Sequence, residues 1–467
     1  MMNSDNIVQK IWNLCNVLRG DGISYREYIS ELTYLLFLKI AEETKTENLL
    51  PKGYRWGNLV SYDGENLLGF YQEMLTHLGA EAKSDVVRQI YAFPTTVFSH
   101  SENLKVVIDG INKIDWHSLS EDAIGNIYEG LLSKNSEDAR SGAGQYFTPR
   151  PLVDCIVEVV KPKPGEIIQD PAIGTGGFLI SADQFLKSNV TAAAYKKNPP
   201  KYEGIEIERG TYRLCLMNTF LHRMQAKIFL GDALTTDSKV LSKANLIIAN
   251  PPFGSKLGSA RKSRKDIPFP TGNKQFEFLQ HIYMCLKPGG RAAVVLPDNV
   301  LFEGSVGKKI RQDLMNKCNL HTILRLPTGI FYSPGVKTNV LFFERGKSDI
   351  NNTKEVWIYD MRSNIPQFGK RTPLTKNHFD DFIKSYNKRP STGKDKAKNN
   401  RFRCFSRKEI IANDDSLYFN WIKDESANNL ETVHDPAALT TSAIADLEVA
   451  INSLKNIIEL LNVEEGI

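Results

Sequence analysis

The sequence predicts an α/β fold, a doubly wound and mostly parallel sheet, preceded by an all-helical N-terminal domain and followed by a coiled-coil-like C-terminal helix. Three textures carry that expectation. Between about residues 144 and 345, short β-rich apolar runs (EIIQD, YEGIEI, KIFL, NLIIA, RAAVVLP, TILRLP, TNVLFFE) alternate with helical stretches, the pattern of βα units. From about residue 5 to 140 the apolar residues recur at helical spacing instead. Near the end, Ile444, Leu447, Ile451, Leu454, Ile458 and Leu461 follow a 3-4-3-4-3 spacing, the a/d seam of a coiled coil over about two and a half heptads.

In chain order, Ile7, Ile11, Leu14 and Leu18 open the helical domain, RGDG supplies a turn, and YREYISELTYLLFLKIAEE resumes the helical period. The expected boundaries are 1–140 for this domain, 141–350 for the α/β domain, 351–430 for an extension with a basic linker, and 431–467 for a partner-binding helix. The linker, Lys384 to Arg403, carries eight Lys or Arg and one Asp. Two and a half heptads are too short for a stable lone helix, so the tail needs a partner surface or the chain's own helical domain.

Composition narrows the class. A chain of 467 residues that is 41% hydrophobic and 24% charged is an ordinary globular protein of two or three domains. No apolar run approaches the roughly 20 residues that span a bilayer, so no membrane partner is expected. The start MMNSDNIVQK has no signal-peptide core, which makes the cytoplasm the expected location. Six cysteines without a CxxC pair, and no histidine cluster, indicate neither disulfides nor a metal site. The net charge of +5 is compatible with a polyanionic partner.

The first chemical motif is DPAIGTGGFL, Asp170 to Leu179, placed after the strand EIIQD and before a helix. Ligands of doubly wound sheets bind there, outside the carboxyl end of a strand. Gly174, Gly176 and Gly177 permit close backbone approach. The motif is neither G-x-G-x-x-G nor a phosphate loop. An acid at the strand end repels phosphate and suits a ligand with cationic groups and hydroxyls; S-adenosylmethionine has an ammonium, a sulfonium and ribose hydroxyls. Glu206 ends the next strand, where a carboxylate takes ribose hydroxyls, and Asp232 in FLGDAL follows a third strand, where one can take an adenine amine. Either acid alone reads more readily as a solvated strand end; together, in order after Asp170, they outline a nucleoside-shaped trough.

The strand NLIIA then stops at Asn250-Pro251-Pro252-Phe253. A nucleobase amine is a poor nucleophile because its lone pair is delocalised into the ring. Acceptors placed around its two hydrogens favour a pyramidal nitrogen, and the Asn250 side-chain oxygen and Pro251 carbonyl are candidates. The prolines fix φ and remove competing donors. Phe253 offers a face for an extruded base. Behind the turn, Lys256, Arg261, Lys262, Arg264, Lys265 and Lys274 against Asp266 form a basic loop suited to phosphate contacts.

Together GQYFTPR, DPAIGTGGFL, GIEIE, GDAL and NPPFG resemble the amino-group DNA methyltransferases, in particular the modification subunits of type I restriction-modification systems. The resemblance covers nearly the whole chain and implies the class I S-adenosylmethionine-dependent methyltransferase fold with adenine N6 as acceptor. It places Gln145, Tyr146, Phe147, Thr148, Pro149 and Arg150 along the methionine end of the cofactor. Asp170, Ala172, Gly174, Thr175, Gly176, Gly177 and Phe178 form its floor, Glu206 holds the ribose, and Asp232 with Ala233 the adenine. Asn250, Pro251, Pro252 and Phe253 are catalytic by the same correspondence. Ile173 departs from the family, which often has a small residue or Cys there, and is expected to narrow the floor without blocking it. The implied partners are double-stranded DNA and a specificity subunit, with two modification subunits to each, and the system leaves room for a restriction (nuclease or translocase) subunit. Two other readings stay open: an enzyme acting on protein glutamine or RNA guanine, and a non-catalytic scaffold.

Overall fold

The computed structural model describes residues 4–16, 25–138, 148–254, 264–331, 337–365, 368–369, 372–389 and 400–422. Gln145, Tyr146, Phe147, the basic loop from Ser255 to Ser263 and the heptads from Ile444 to Leu461 lie outside the described residues. The chain forms two compact units, residues 1–361 with 367–419, and residues 362–366 with 420–467. The second is almost wholly outside the described residues, so the architecture below is that of the first.

All seven apolar runs form strands: β1 (Ile167–Asp170), β2 (Lys201–Glu206), β3 (Ala226–Leu230), β4 (Ala244–Ala249), β5 (Leu286–Pro297), β6 (Cys318–Arg325) and β7 (Thr338–Arg345). Two more, β8 (Glu355–Asp360) and β9 (Phe402–Ser406), complete one sheet of order β3-β2-β1-β4-β5-β7-β6-β8-β9. Residues 351–430, expected as an extension with a linker, therefore contribute two strands to the same sheet. The flanking arginines of the basic stretch are also anchored: Arg389 donates to Thr322 Oγ1 at 2.6 Å and Arg401 to the Asp360 carbonyl at 3.2 Å. Pairing is parallel from β3 through β5 and between β6 and β8, and antiparallel where β7 and β9 join. The central strands read as unbroken apolar runs because both faces are covered: Leu246, Ile247, Ile248 and Ala249 of β4 are fully buried.

The order reverses between β1 and β4, which lie side by side although β2 and β3 come between them in sequence. Chain leaving β1 turns to one side of the sheet and chain leaving β4 to the other, which opens a crevice at their carboxyl ends. Asp170 ends β1 and Asn250 follows β4, so the two motifs meet there.

The helical domain is built around α1 (Tyr25–Glu43), in which Tyr28, Ile29, Leu32, Leu35, Leu36, Phe37 and Leu38 are all buried. A helix buried around most of its circumference belongs at the centre of its domain. It sits beside α2 (Glu121–Asp138), and both pack against α3 (Arg209–Leu221), the helix after β2. Arg213 of α3 clamps this junction. Its guanidinium donates to the carbonyls of Ile90 (2.6 Å) and Ala92 (3.1 Å) and lies 4.9 Å from the Tyr34 ring centre. Phe37 meets Phe220 at 4.8 Å between ring centres.

Candidate active site

The glycine-rich loop bends because two of its residues adopt left-handed backbone, Gly174 at φ +57° and Gly176 at φ +87°. The two glycines have different surroundings. A Cβ added at Gly176 would lie 3.2 Å from Cys215 Sγ, whereas at Gly174 or Gly177 it would meet no protein atom within 4 Å. Gly176 faces the core; Gly174 and Gly177 face open space. Asn218 of α3 fastens the loop from below, donating to the Thr175 carbonyl at 2.9 Å. Ile173 does not narrow the floor as expected. It is 4% exposed and packs over Gly204 of β2, where a Cβ would lie 2.4 Å from its Cδ1, so the missing side chain of Gly204 houses the bulky one.

Asp170 is 1% exposed and accepts the Ala172 amide at 3.0 Å. Burial pushes its carboxyl up to about 8, and the nearby Glu206 charge adds to the shift. Glu206 accepts the amides of Gly174 (3.0 Å) and Glu208 (2.9 Å), and burial raises its pKa too. Two desolvated acids at the ends of adjacent strands favour a ligand that brings positive charge. A carboxylate has about four acceptor sites, so Glu206 keeps acceptor capacity for a hydroxyl donor. Asp232 builds its own turn: Oδ1 accepts the Leu234 amide at 2.9 Å and its amide donates to Asp237 at 3.1 Å.

Three of the expected cofactor contacts occupy other surroundings. Phe178 (4% exposed) and Ala233 (2%) have their side chains in the core, Ala233 in a cluster with Ile205, Leu234 and Phe278, so they support the floor from within. Arg150 opens the helix α4 (Arg150–Val160), and its guanidinium donates to Asp154 (2.9 Å), Glu129 of α2 (2.5 Å) and Gln184. It ties the helical domain to the α/β domain. Ala172, Thr148 and Pro149 are half-buried at the crevice.

On the β4 side, Asn250 is 8% exposed and Pro251 is buried, while Pro252 and Phe253 are half-buried. The Asn250 amide donates from Nδ2 to Thr148 Oγ1 at 3.0 Å, and its Oδ1 is buried with no hydrogen-bond partner among the described residues. An unpaired buried acceptor costs about 1–3 kcal/mol, so its retention beside a ligand crevice calls for a donor that the described residues do not supply. The turn is held from behind by α5 (Lys274–Cys285). Gln275 Oε1 accepts the Gly254 amide at 3.0 Å, and the Lys274 amide donates to the Gly254 carbonyl at 2.9 Å. Gly254 itself is at φ +100°. Arg264, grouped by sequence with the phosphate-contacting cations, is instead spent on Asp266 through Nε at 2.9 Å and Nη2 at 2.5 Å.

Sequence reading missed Asn218 and Gln275 as supports. Each is an amide on a helix facing a loop 43 or 21 residues away, and no local pattern marks it. Among the described residues, no cluster of His, Cys, Asp or Glu is arranged to hold a metal, and no helix is long and apolar enough to cross a membrane.

Known proteins share this architecture along its length. The N-6 DNA Methylase family matches residues 119–429 and the HsdM N-terminal domain family residues 7–111. The chain is 42% identical to the EcoKI type I restriction enzyme methylase subunit of Escherichia coli K12, over 97% of this chain and 94% of that one. It is equally similar, over the same shares, to the StySPI methylase subunit of Salmonella potsdam. The crystal structure of the EcoKI M protein aligns with a TM-score of 0.55 at 39% identity, covering 98% of this chain and 96% of that one. A chain from a study of complex assembly and conformational transition in the type I restriction-modification system aligns at 0.74 and 26% identity over the whole of both chains. The chain belongs to the N-6 DNA methylase family, among the methylase subunits of type I restriction enzymes.

Proposed function

We propose that this chain transfers a methyl group from S-adenosylmethionine to adenine N6 of flipped-out DNA bases, as the modification subunit of a type I restriction-modification complex. The observation that carries the reading is Asn250 Oδ1, a buried acceptor with no partner among the described residues, on the turn beside the acid and glycine cradle.

The cradle suits the cofactor. Gly174 and Gly177 leave room where a side chain would intrude, and Asp170 and Glu206 favour a cationic, hydroxyl-bearing ligand. Asp170 and Gly174 to Gly177 would form its floor, Glu206 would take ribose hydroxyls, Asp232 the adenine amine, and the segment from Gln145 to Pro149 the methionine end. When bound, S-adenosylmethionine supplies a methyl group made electrophilic by its sulfonium. Asn250 Oδ1 and the Pro251 carbonyl accept the two hydrogens of the substrate amine and turn its lone pair outward, while Phe253 stacks on the base. No general base precedes transfer, because positioning and acceptor dipoles supply most of the rate. The amine sheds its extra proton to solvent afterwards.

Double-stranded DNA is the substrate, and a specificity subunit selects the site, with two modification subunits to each. The relatives' names as methylase subunits of restriction enzymes, and the heptads near the C-terminus, support a multisubunit assembly that can include a restriction subunit. The cytoplasm, where chromosomal DNA is accessible, is the proposed location. The test supplies the full chain, with and without the specificity subunit, with methyl-labelled cofactor and DNA, and identifies the modified base. N6-methyladenine formed only with the partner is expected. Label in protein or RNA, or none with either acceptor, would overturn the reading in favour of another amino acceptor or a scaffold.

A further inference from the structure

The hydrogen bond between Thr148 and Asn250 points to a role for Thr148 that differs from lining the cofactor. Asn250 has a terminal amide whose two ends are nearly equal in shape, and rotation by half a turn exchanges acceptor for donor. With Nδ2 facing the substrate amine, two donors would oppose each other and the substrate would be repelled. Something must hold the oxygen outward. The residue's own turn offers little: prolines 251 and 252 have no N–H to pair with Oδ1. The bond that the structure does show is on the other end, Nδ2 to Thr148 Oγ1 at 3.0 Å, and it leaves Oδ1 buried with no partner among the described residues.

We propose that Thr148 is a positioning residue for methyl transfer, its hydroxyl accepting from Asn250 Nδ2 to fix the amide with Oδ1 toward the incoming amine. The proposal rests on Asn250 being the amine acceptor. Thr148 reaches it across 102 residues of sequence, from the segment just before α4, whereas Asn250 follows β4. The segment that the family resemblance assigns to the methionine end of the cofactor therefore also holds the catalytic amide. Pro149 follows at φ −55° and Arg150 is pinned by Glu129, Asp154 and Gln184, so the backbone bearing Thr148 is fixed from its carboxyl side.

The test compares Thr148→Val, which keeps the shape and removes the hydroxyl, with Thr148→Ser, which keeps the hydroxyl, in the full chain assembled with its specificity subunit. Calorimetry gives cofactor affinity, and steady-state kinetics at saturating cofactor give kcat and the KM for DNA. Thr148→Val should lower kcat roughly tenfold to a hundredfold, the loss of one orienting hydrogen bond, with cofactor affinity and the KM for DNA within about twofold of the parent. Thr148→Ser should recover most of kcat. A Thr148→Val enzyme with parental kcat overturns the proposal. So does one whose defect is weak cofactor binding, abolished at saturation, which would return Thr148 to a lining role, and so does a Ser variant as impaired as Val. Asn250→Ala, assayed alongside, separates the two levels. If it stays active, the reading of Asn250 fails; if it is inactive while Thr148→Val is normal, only the role of Thr148 fails.

Discussion

Replacing Gly174 by valine should separate the fold from its ligand. The residue sits at φ +57°, where a side chain with a branched Cβ costs about 1–2 kcal/mol. No protein atom lies within 4 Å of the added Cβ, so the native packing adds little to that backbone cost. At about 2–4 °C per kcal/mol for domains of this size, the melting temperature should fall by roughly 2–8 °C. The two new methyl groups would occupy the space assigned to the cofactor, and a loss of a hundredfold or more in affinity, about 2.7 kcal/mol, is expected. Gly176→Ala makes the opposite trade. Its Cβ would press on Cys215 Sγ at 3.2 Å in the core with φ at +87°, so stability should suffer first. The assays are thermal unfolding without ligand and calorimetric titration with S-adenosylmethionine. A folded Gly174→Val protein with unchanged affinity would refute the placement of the floor. Affinity falling only in step with the folded fraction would refute the separation.

The other predictions address the acceptor, the acids and the junction. Asn250→Ala should bind cofactor nearly normally and lose roughly 10²–10³ in kcat, measured by label incorporation into DNA, since it removes one acceptor aimed at the reacting amine. Asp170, raised to about 8 by burial, holds its proton at neutral pH in the free protein, and a cationic ligand would favour its charged form. Cofactor binding near pH 7 should therefore release protons, with affinity tightening as pH rises toward 8 and levelling above it. Titrations in buffers of different ionisation enthalpy would read the release, and Asp170→Asn should remove it. Arg213→Ala deprives the carbonyls of Ile90 and Ala92 of a buried donor and should cost about 2–4 kcal/mol in denaturant unfolding, with the helical domain becoming more susceptible to protease.

What was legible in the sequence follows from how far each signal reaches. Apolar periodicity is local, and the seven runs from EIIQD to TNVLFFE all became strands. The glycine motif, the strand-end acids and NPPF were legible because each has a fixed place relative to its own strand. Contacts between distant segments left no local mark. Nothing about Ile173 announces that Gly204, 31 positions away in the numbering, makes room for it. Arg150 read as part of a cofactor motif, yet its partners come from three helices. The strands β8 and β9 were obscured by the charged stretch between them, whose composition reads as a linker whether or not its ends are paired into a sheet.

The Arg213 clamp has a practical corollary for cutting the gene. A fragment starting near residue 141 would carry the glycine loop, its acids and the Asn250 turn, yet it would leave Phe220 without Phe37 and Arg213 without Tyr34 and two carbonyls. The amputated α3 would show water an oily, cationic scar on the helix whose Asn218 steadies the glycine loop. Solubility and catalysis should thus fail together in such a fragment, and any minimal version of the enzyme has to keep its first helices.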